Sequence, residues 1–159
     1  AKTMTPNKIE IINFSDDLKD AIKILNYEWL EKYFRVEESD IRSLCNPREE
    51  IIEKGGFIFY AKLDDEIVGT ASLLKKEEYI FELGKMAVSE KAQGLKIGTL
   101  LLEHCLCIAK QNQIKTVILY SNTQLESAIH LYRKFGFSEM KLEKGRYERA
   151  DIKMGKHLL

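Results

Sequence analysis

Residues 79–121 constrain this chain more than any other stretch. They run from an apolar strand through a polar, glycine-containing connection into a helix, then out into a short β-branched strand. The helix, expected over 99–112, is apolar on much of its circumference, with Leu101, Cys105 and Ile108 on one row and Leu102, Leu106 and Ala109 on the next. Such a helix has to be well buried, which suits a fold of helices layered on a sheet.

The flanking segments extend that pattern. Alternation over 8–14 predicts a first strand, and Ser15, Asp16 and Asp17 form a helix start with acids in the first turn. Leu18, Ile22, Leu25 and Trp29 then recur as one apolar stripe. A second, shorter helix is expected after Pro47, ending near Gly55 and Gly56. Strands at 57–63 and 66–74 read as an antiparallel hairpin around Asp64 and Asp65, and 79–88 as a third strand of that set. Beyond the buried helix come a strand at 115–121 and a helix carrying Leu125, Ala128, Ile129, Tyr132 and Phe135 that stops at Gly136. A closing hairpin is expected from 137–142 and 146–154 around Lys144 and Gly145. The resulting order, β-α-α-β-β-β-α-β-α-β-β, predicts an α/β fold with one mixed sheet of about seven strands and helices on its faces. With two prolines, nine glycines, no repeat and no internal linker, the 159 residues read as a single domain, 1–159.

Composition removes several classes of function. Lys plus Arg and Asp plus Glu each number 25, so no basic excess speaks for a polyanion binder, and nucleic acid is disfavoured as a partner. No apolar run approaches the roughly 18 residues of a membrane span, and Ala1–Pro6 lacks the apolar stretch of a signal peptide; a soluble, cytoplasmic protein is expected, with no membrane partner. Cys45, Cys105 and Cys107 are read as reduced, packed thiols. His104, His130 and His157 form no ligand spacing, so no metal is expected.

The chemistry concentrates in the connection into the buried helix. Unpaired N–H groups and the positive end of a helix dipole favour phosphate at such a turn. Residues 85–115 also carry Lys85, Lys91, Lys96, Lys110 and Lys115 against Glu90 and Glu103. A plain connector has the same outline. The glycine spacing fits neither a dinucleotide fingerprint nor a Walker loop.

Gln93-Gly94-Leu95-Lys96-Ile97-Gly98 resembles the Gln/Arg-x-x-Gly-x-Gly/Ala coenzyme A loop of the GNAT superfamily of N-acetyltransferases, and it begins five residues after Val88 at the preceding strand end. Downstream, Ala128, Tyr132, Gly136 and Phe137 resemble the family's Ala-x-x-x-Tyr-x-x-x-Gly-Phe helix end, and 151–156 its last strand. The resemblance spans most of the chain and implies a GNAT-like, mostly antiparallel sheet. One departure is Lys96, at a position usually glycine; a left-handed backbone there would cost about 1 kcal/mol or more. The backbone at Lys96 is therefore read as already helical, leaving the ammonium to sit near the pyrophosphate.

The resemblance implies acetyl-CoA as cosubstrate and an amine as acceptor. Binding of the coenzyme would fall to the backbone of Met86, Ala87 and Val88 at a splayed strand end, to Gln93, Gly94, Leu95, Lys96, Ile97, Gly98 and Thr99, and to Asn122 and Lys134. Asn122 is equally an Asx turn before a helix, and Lys134 equally a solvated charge. The Met86 N–H would polarise the acetyl carbonyl. By strand alternation Glu82 shares a face with Ile80, Gly84, Met86 and Val88; a carboxylate among apolar neighbours has a raised pKa suited to a general base, the role its position implies. A salt-bridged glutamate on a half-wet strand, with the proton relayed through water, is the alternative. Tyr132 is the expected acid for the departing thiolate.

Residues 15–54 hold eleven acids against seven bases. Beside Trp29, Tyr33 and Phe34, the expected acceptor-binding residues, that excess would suit a cationic amine of a small molecule or peptide; solvated helix faces would look the same. Two rivals stand next to the enzyme: a noncatalytic acyl-CoA sensor or interaction module, and a nucleic-acid acetyltransferase served by the eight bases against four acids in 130–159. The acceptor and the oligomeric state, a homodimer included, stay open.

Overall fold

A computed structural model describes residues 8–158; the segment 1–6 read above for a leader lies outside them. The elements are β1 (Ile9–Asn13), α1 (Lys19–Tyr33), α2 (Glu38–Cys45), β2 (Phe57–Leu63), β3 (Glu66–Glu77), β4 (Ile80–Val88), α3 (Ile97–Gln111), β5 (Thr116–Ser121), α4 (Glu126–Lys134), β6 (Ser138–Met140) and β7 (Ile152–His157). They form one seven-stranded sheet, β1-β2-β3-β4-β5-β7-β6, in which only β4 and β5 run parallel. The single parallel pair follows from the connection: α3 is the crossover that a parallel neighbour requires.

Each sheet face has its own core. Phe59, Ala61, Ala71, Leu73, Phe81 and Leu83 point to α3 and α4, where Leu101, Leu102 and Cys105 are fully buried. Ile58 and Tyr60, one residue out of phase, meet Ile22, Leu30 and Leu44 of α1 and α2. Burying a leucine as completely as Leu101 contributes about 1.5–3 kcal/mol.

The helical stretch expected after Pro47 is present as a π-helix, Arg48–Ile52. Ahead of it stands a helix that the apolar periodicity did not indicate, α2, set by a capping box in which Glu37 accepts from the third-residue N–H and Asp40 accepts from Glu37 N at 2.9 Å. Two expectations require correction. The second arm of the closing hairpin begins at Ile152, not 146, so residues 141–151 form a long connection. Only Cys105 is a packed thiol; Cys45 and Cys107 are exposed.

A bulge in β4 decides the geometry of everything downstream. Thr70 pairs Ala87 and Ser72 pairs Gly84, so Lys85 and Met86 together oppose Ala71. One extra residue reverses alternation. Glu82 and Gly84 face the α1/α2 side, but Met86 and Val88 pack against the α3 cluster, contrary to the shared face expected for Glu82, Met86 and Val88.

Candidate active site

β4 and β5 are in register only from Ile80↔Thr116 to Glu82↔Ile118. Beyond that point they part, and a cavity of about 640 Å³ opens between them. Glu82 stands at one end of its lining, the 93–99 turn at the other, with Tyr132 of α4 in the wall.

The turn is fixed at its start and left-handed at two positions. Ser89 N donates to Val68 O at 2.8 Å, and the Gln93 amide donates to Val88 O at 3.2 Å, fixing the chain where it leaves β4. Gly94 has φ +84°, and a Cβ there would meet nothing within 4 Å; glycine is required by conformation rather than space. Lys96 has φ 60° and ψ 29°, so the helical backbone expected at this position is corrected to a left-handed one, at a cost of about 1–2 kcal/mol. α3 starts directly after it, with no acid in its first turn to oppose an anion. A Cβ on Gly98 would project toward Met86 Cε, 3.5 Å away across the cleft. Lys91 is paired with Glu66.

At the other end Glu82 is 2% exposed. Its carboxylate accepts from Arg146 Nη2 at 3.0 Å and from the Tyr147 hydroxyl at 3.1 Å, and Lys76 Nζ lies 3.4 Å away. Its neighbours are thus polar as well as apolar. Burial pushes its pKa up to about 7, against the Tyr147 hydrogen bond and the Lys85 and Arg149 charges, which pull it down.

Beneath this lies a charged cluster joining three segments. Asp40, fully buried, accepts from Lys85 Nζ at 2.8 Å and from both terminal nitrogens of Arg149 at 2.9 and 2.7 Å. Desolvation raises Asp40, but Arg149 and Lys85 outweigh it and hold the carboxyl at about 2. Glu37 also takes Arg149 Nη1 at 3.0 Å and the Glu148 N–H at 3.1 Å. The 141–151 connection is thereby strapped to α2 and to β4.

The structure brings Glu82, Met86, Ala87, Val88, Gln93, Gly94, Lys96, Ile97, Gly98, Thr99, Asn122, Tyr132, Trp29 and Phe34 onto one cleft, while Tyr33, Leu95 and Lys134 stand outside its lining. Trp29 and Phe34 rings lie 5.4 Å apart, centre to centre. Asn122 forms the Asx turn, accepting from Gln124 N at 2.9 Å and donating to Arg149 O at 2.8 Å. The half-buried Tyr132 ring meets Phe137 edge-on, and burial pushes its phenol up to about 12. None of the eleven acids of 15–54 lines the cleft. Arg149 neutralises Glu37 and Asp40, and Asp16 and Glu50 pair with Arg48 and Lys54. The acidic excess of 15–54 therefore lies outside the cleft, whose lining beside Trp29 and Phe34 carries a single carboxylate, Glu82.

Sequence reasoning missed Asn26, Asp40, Arg146, Tyr147 and Arg149, and it counted Lys85 among lysines favourable to an anion, whereas its ammonium is buried against Asp40. The run Arg146-Tyr147-Glu148-Arg149 carried one signal, being too charged for an inner strand. Local spacing offered at most a capping box between Glu37 and Asp40; the contacts that matter at the site, from Asn26 and Asp40 to Lys85, span 59 and 45 residues. Among the described residues no group of three or more His, Cys, Asp or Glu could hold a metal ion, and no helix is long and apolar enough to cross a membrane.

Comparison with known proteins adds the following. Residues 22–137 match the family model described as acetyltransferase (GNAT) family. N-alpha-acetyltransferase 50 of Danio rerio is 32% identical over 110 residues, 65% of this chain and 64% of that protein. An uncharacterized N-acetyltransferase of Dictyostelium discoideum is 37% identical over 60 residues, 38% of this chain and 28% of its own length. The chain thus spans less than two thirds of either relative. Among solved structures, a GNAT-family acetyltransferase from Staphylococcus aureus Mu50 superposes with a TM-score of 0.86 at 23% identity, over 96% of this chain and 100% of that one. The PaiA N-acetyltransferase from Thermoplasma acidophilum, in complex with coenzyme A, gives 0.73 at 23% identity, over 94% and 99%. At these identities the structures share the fold.

Proposed function

The chain belongs to the acetyltransferase (GNAT) family, and from that premise we propose that it transfers an acetyl group from acetyl-CoA directly to a primary amine of a small molecule or peptide. One observation carries the reading: a carboxylate pushed up to about 7 and a phenol pushed up to about 12 line the same cleft, which opens where β4 and β5 part.

The cleft fits the coenzyme. The left-handed turn at Gly94 and Lys96, the acid-free start of α3 and the Gly98 surface suit a pyrophosphate, and the unpaired edge of β4 suits an amide-bearing arm. When bound, acetyl-CoA supplies the thioester. The residues of the chain do the rest. Met86 N–H, offered from the bulge, polarises the acetyl carbonyl, a contribution on the order of 3 kcal/mol where such donors have been removed. Glu82 takes a proton from the acceptor ammonium, which Trp29 and Phe34 flank. Tyr132 gives its phenolic proton to the leaving sulfur and regains one from the nitrogen that becomes the amide, so that the only net proton released is the one Glu82 takes.

Proton affinity favours one acceptor type. A base titrating at about 7 is better matched to a peptide α-amine near 7.7–8.0 than to a lysine side chain near 10.4. The relative named N-alpha-acetyltransferase 50 supports the same choice.

Another observation favours a second reading: both Glu82 oxygens already accept hydrogen bonds from Arg146 and Tyr147. Glu82 would then orient the amine while water carries the proton away. Incubation with acetyl-CoA and a panel of peptides and small amines, with free thiol measured, tests the activity. Thiol release that depends on an amine supports transfer; tight coenzyme binding without release for any acceptor would favour a sensor.

A further inference from the structure

Of the four described non-glycine residues with positive φ, only Lys85 lies inside a strand. It is the first residue of the β4 bulge, with φ 50°, a position that ordinarily calls for glycine. A side chain there is disfavoured by its own Cβ, so something has to hold it.

Two buried polar side chains do so from opposite ends of the lysine. Asn26 of α1, 3% exposed, donates from Nδ2 to the Lys85 carbonyl at 3.1 Å and to Ile22 O at 2.9 Å. Asp40 of α2, fully buried, accepts from Lys85 Nζ at 2.8 Å. Asp40 is itself fixed by the Glu37 N–H and by the two-point contact with Arg149. Main chain and side chain of one strained residue are thus gripped by two helices.

We propose that Asn26 and Asp40 are positioning residues that clamp Lys85 in the left-handed conformation and thereby aim the backbone of Met86 and Ala87 into the cleft. Release of Lys85 to ordinary strand geometry would remove the extra residue from the ladder and swing Met86 and Val88 to the opposite face. Because Arg149 shares Asp40 with Lys85, the clamp also ties this edge of β4 to the connection that reaches Glu82. The inference rests on the acetyltransferase reading for its readout, although not for its geometry.

A double-mutant cycle tests it. Glycine adopts positive φ unaided, so Asn26 should matter only while residue 85 bears a side chain. N26A is expected to lower kcat at saturating acceptor by about tenfold or more in the wild-type background, and by less than about threefold in the K85G background. An equal loss in both backgrounds would mean that Asn26 acts on the acceptor or on stability and would overturn the clamp. Should N26A not fold, K85A and K85G differ by a single Cβ: K85A about tenfold slower supports the clamp, and equal rates contradict it. If wild type releases no thiol with any amine, the activity reading fails by itself. The same cycle read as coenzyme A affinity in calorimetry then decides the clamp, non-additivity supporting it and additivity overturning it.

Discussion

Arg146 places a guanidinium nitrogen 3.0 Å from the Glu82 carboxylate, joining the 141–151 connection to the first half of β4 across 64 residues of sequence. Burial and this cation have opposite effects on the proposed base. Burial raises Glu82 to about 7, and a cation at this distance works against that rise.

Removing the cation should therefore move the base upward. For R146Q the rising limb of kcat/KM against pH should shift to higher pH by about one unit, the lower end of what a close opposite charge does. A pH–rate series on both proteins measures it; an unshifted limb would mean that Arg146 does not act on the titrating group.

Glu82 also predicts how stability varies with pH. Its folded value, about 7, lies above the ordinary carboxylate value. The native state therefore binds the proton more tightly, and stability falls as pH rises from about 4.5 to 7. For a group this buried the loss is on the order of 2–3 kcal/mol. Asp40, held at about 2, acts in the opposite sense: its stabilisation is present above the ordinary value and is lost as pH falls through 2. Urea unfolding at pH 5 and pH 8 should show E82Q gaining on wild type at the higher pH, with no gain if Glu82 does not titrate between them.

Lys96 separates strain from charge. K96G should raise stability by about 1 kcal/mol by relieving the left-handed backbone, while K96E should weaken coenzyme A binding through repulsion of the phosphates. Thermal unfolding and calorimetry check the two effects, and unchanged affinity in K96E would place the Lys96 charge away from the coenzyme.

Tyr132 is assigned a role in proton transfer alone. Y132F should cut turnover at least about tenfold with coenzyme affinity nearly unchanged. Turnover equal to wild type would remove the phenol from the mechanism.

Much of the architecture was legible because hydrophobic period reports burial directly. β2 follows from Ile58 and Tyr60 alternating with Phe59 and Ala61 between two helix layers, and α3 from apolar rows on adjacent faces. Glu82 and the turn before α3 were legible by the same route, with family resemblance adding the motif at 93–98. What escaped was set by tertiary contact. The bulge is one extra residue held by Asn26 and Asp40 from two other elements, and it moves Met86 and Val88 to the far face. α2 begins at a glutamate cap that looks like any surface acid until Asp40 closes the capping box and Arg149 covers both. Arg146 and Tyr147 read as strand because alternation says nothing about a connection pinned by a distant carboxylate.

The pH dependence of amine-stimulated thiol release in wild type and E82Q tests the central claim most directly. Wild type should show a kcat/KM limb rising through about pH 7, the value burial gives Glu82. E82Q should lose that limb and, at neutral pH, about 100-fold or more in rate, the usual worth of a positioned base. An E82Q enzyme that keeps the wild-type rate and the same limb would contradict the assignment of Glu82 as the group that takes the proton.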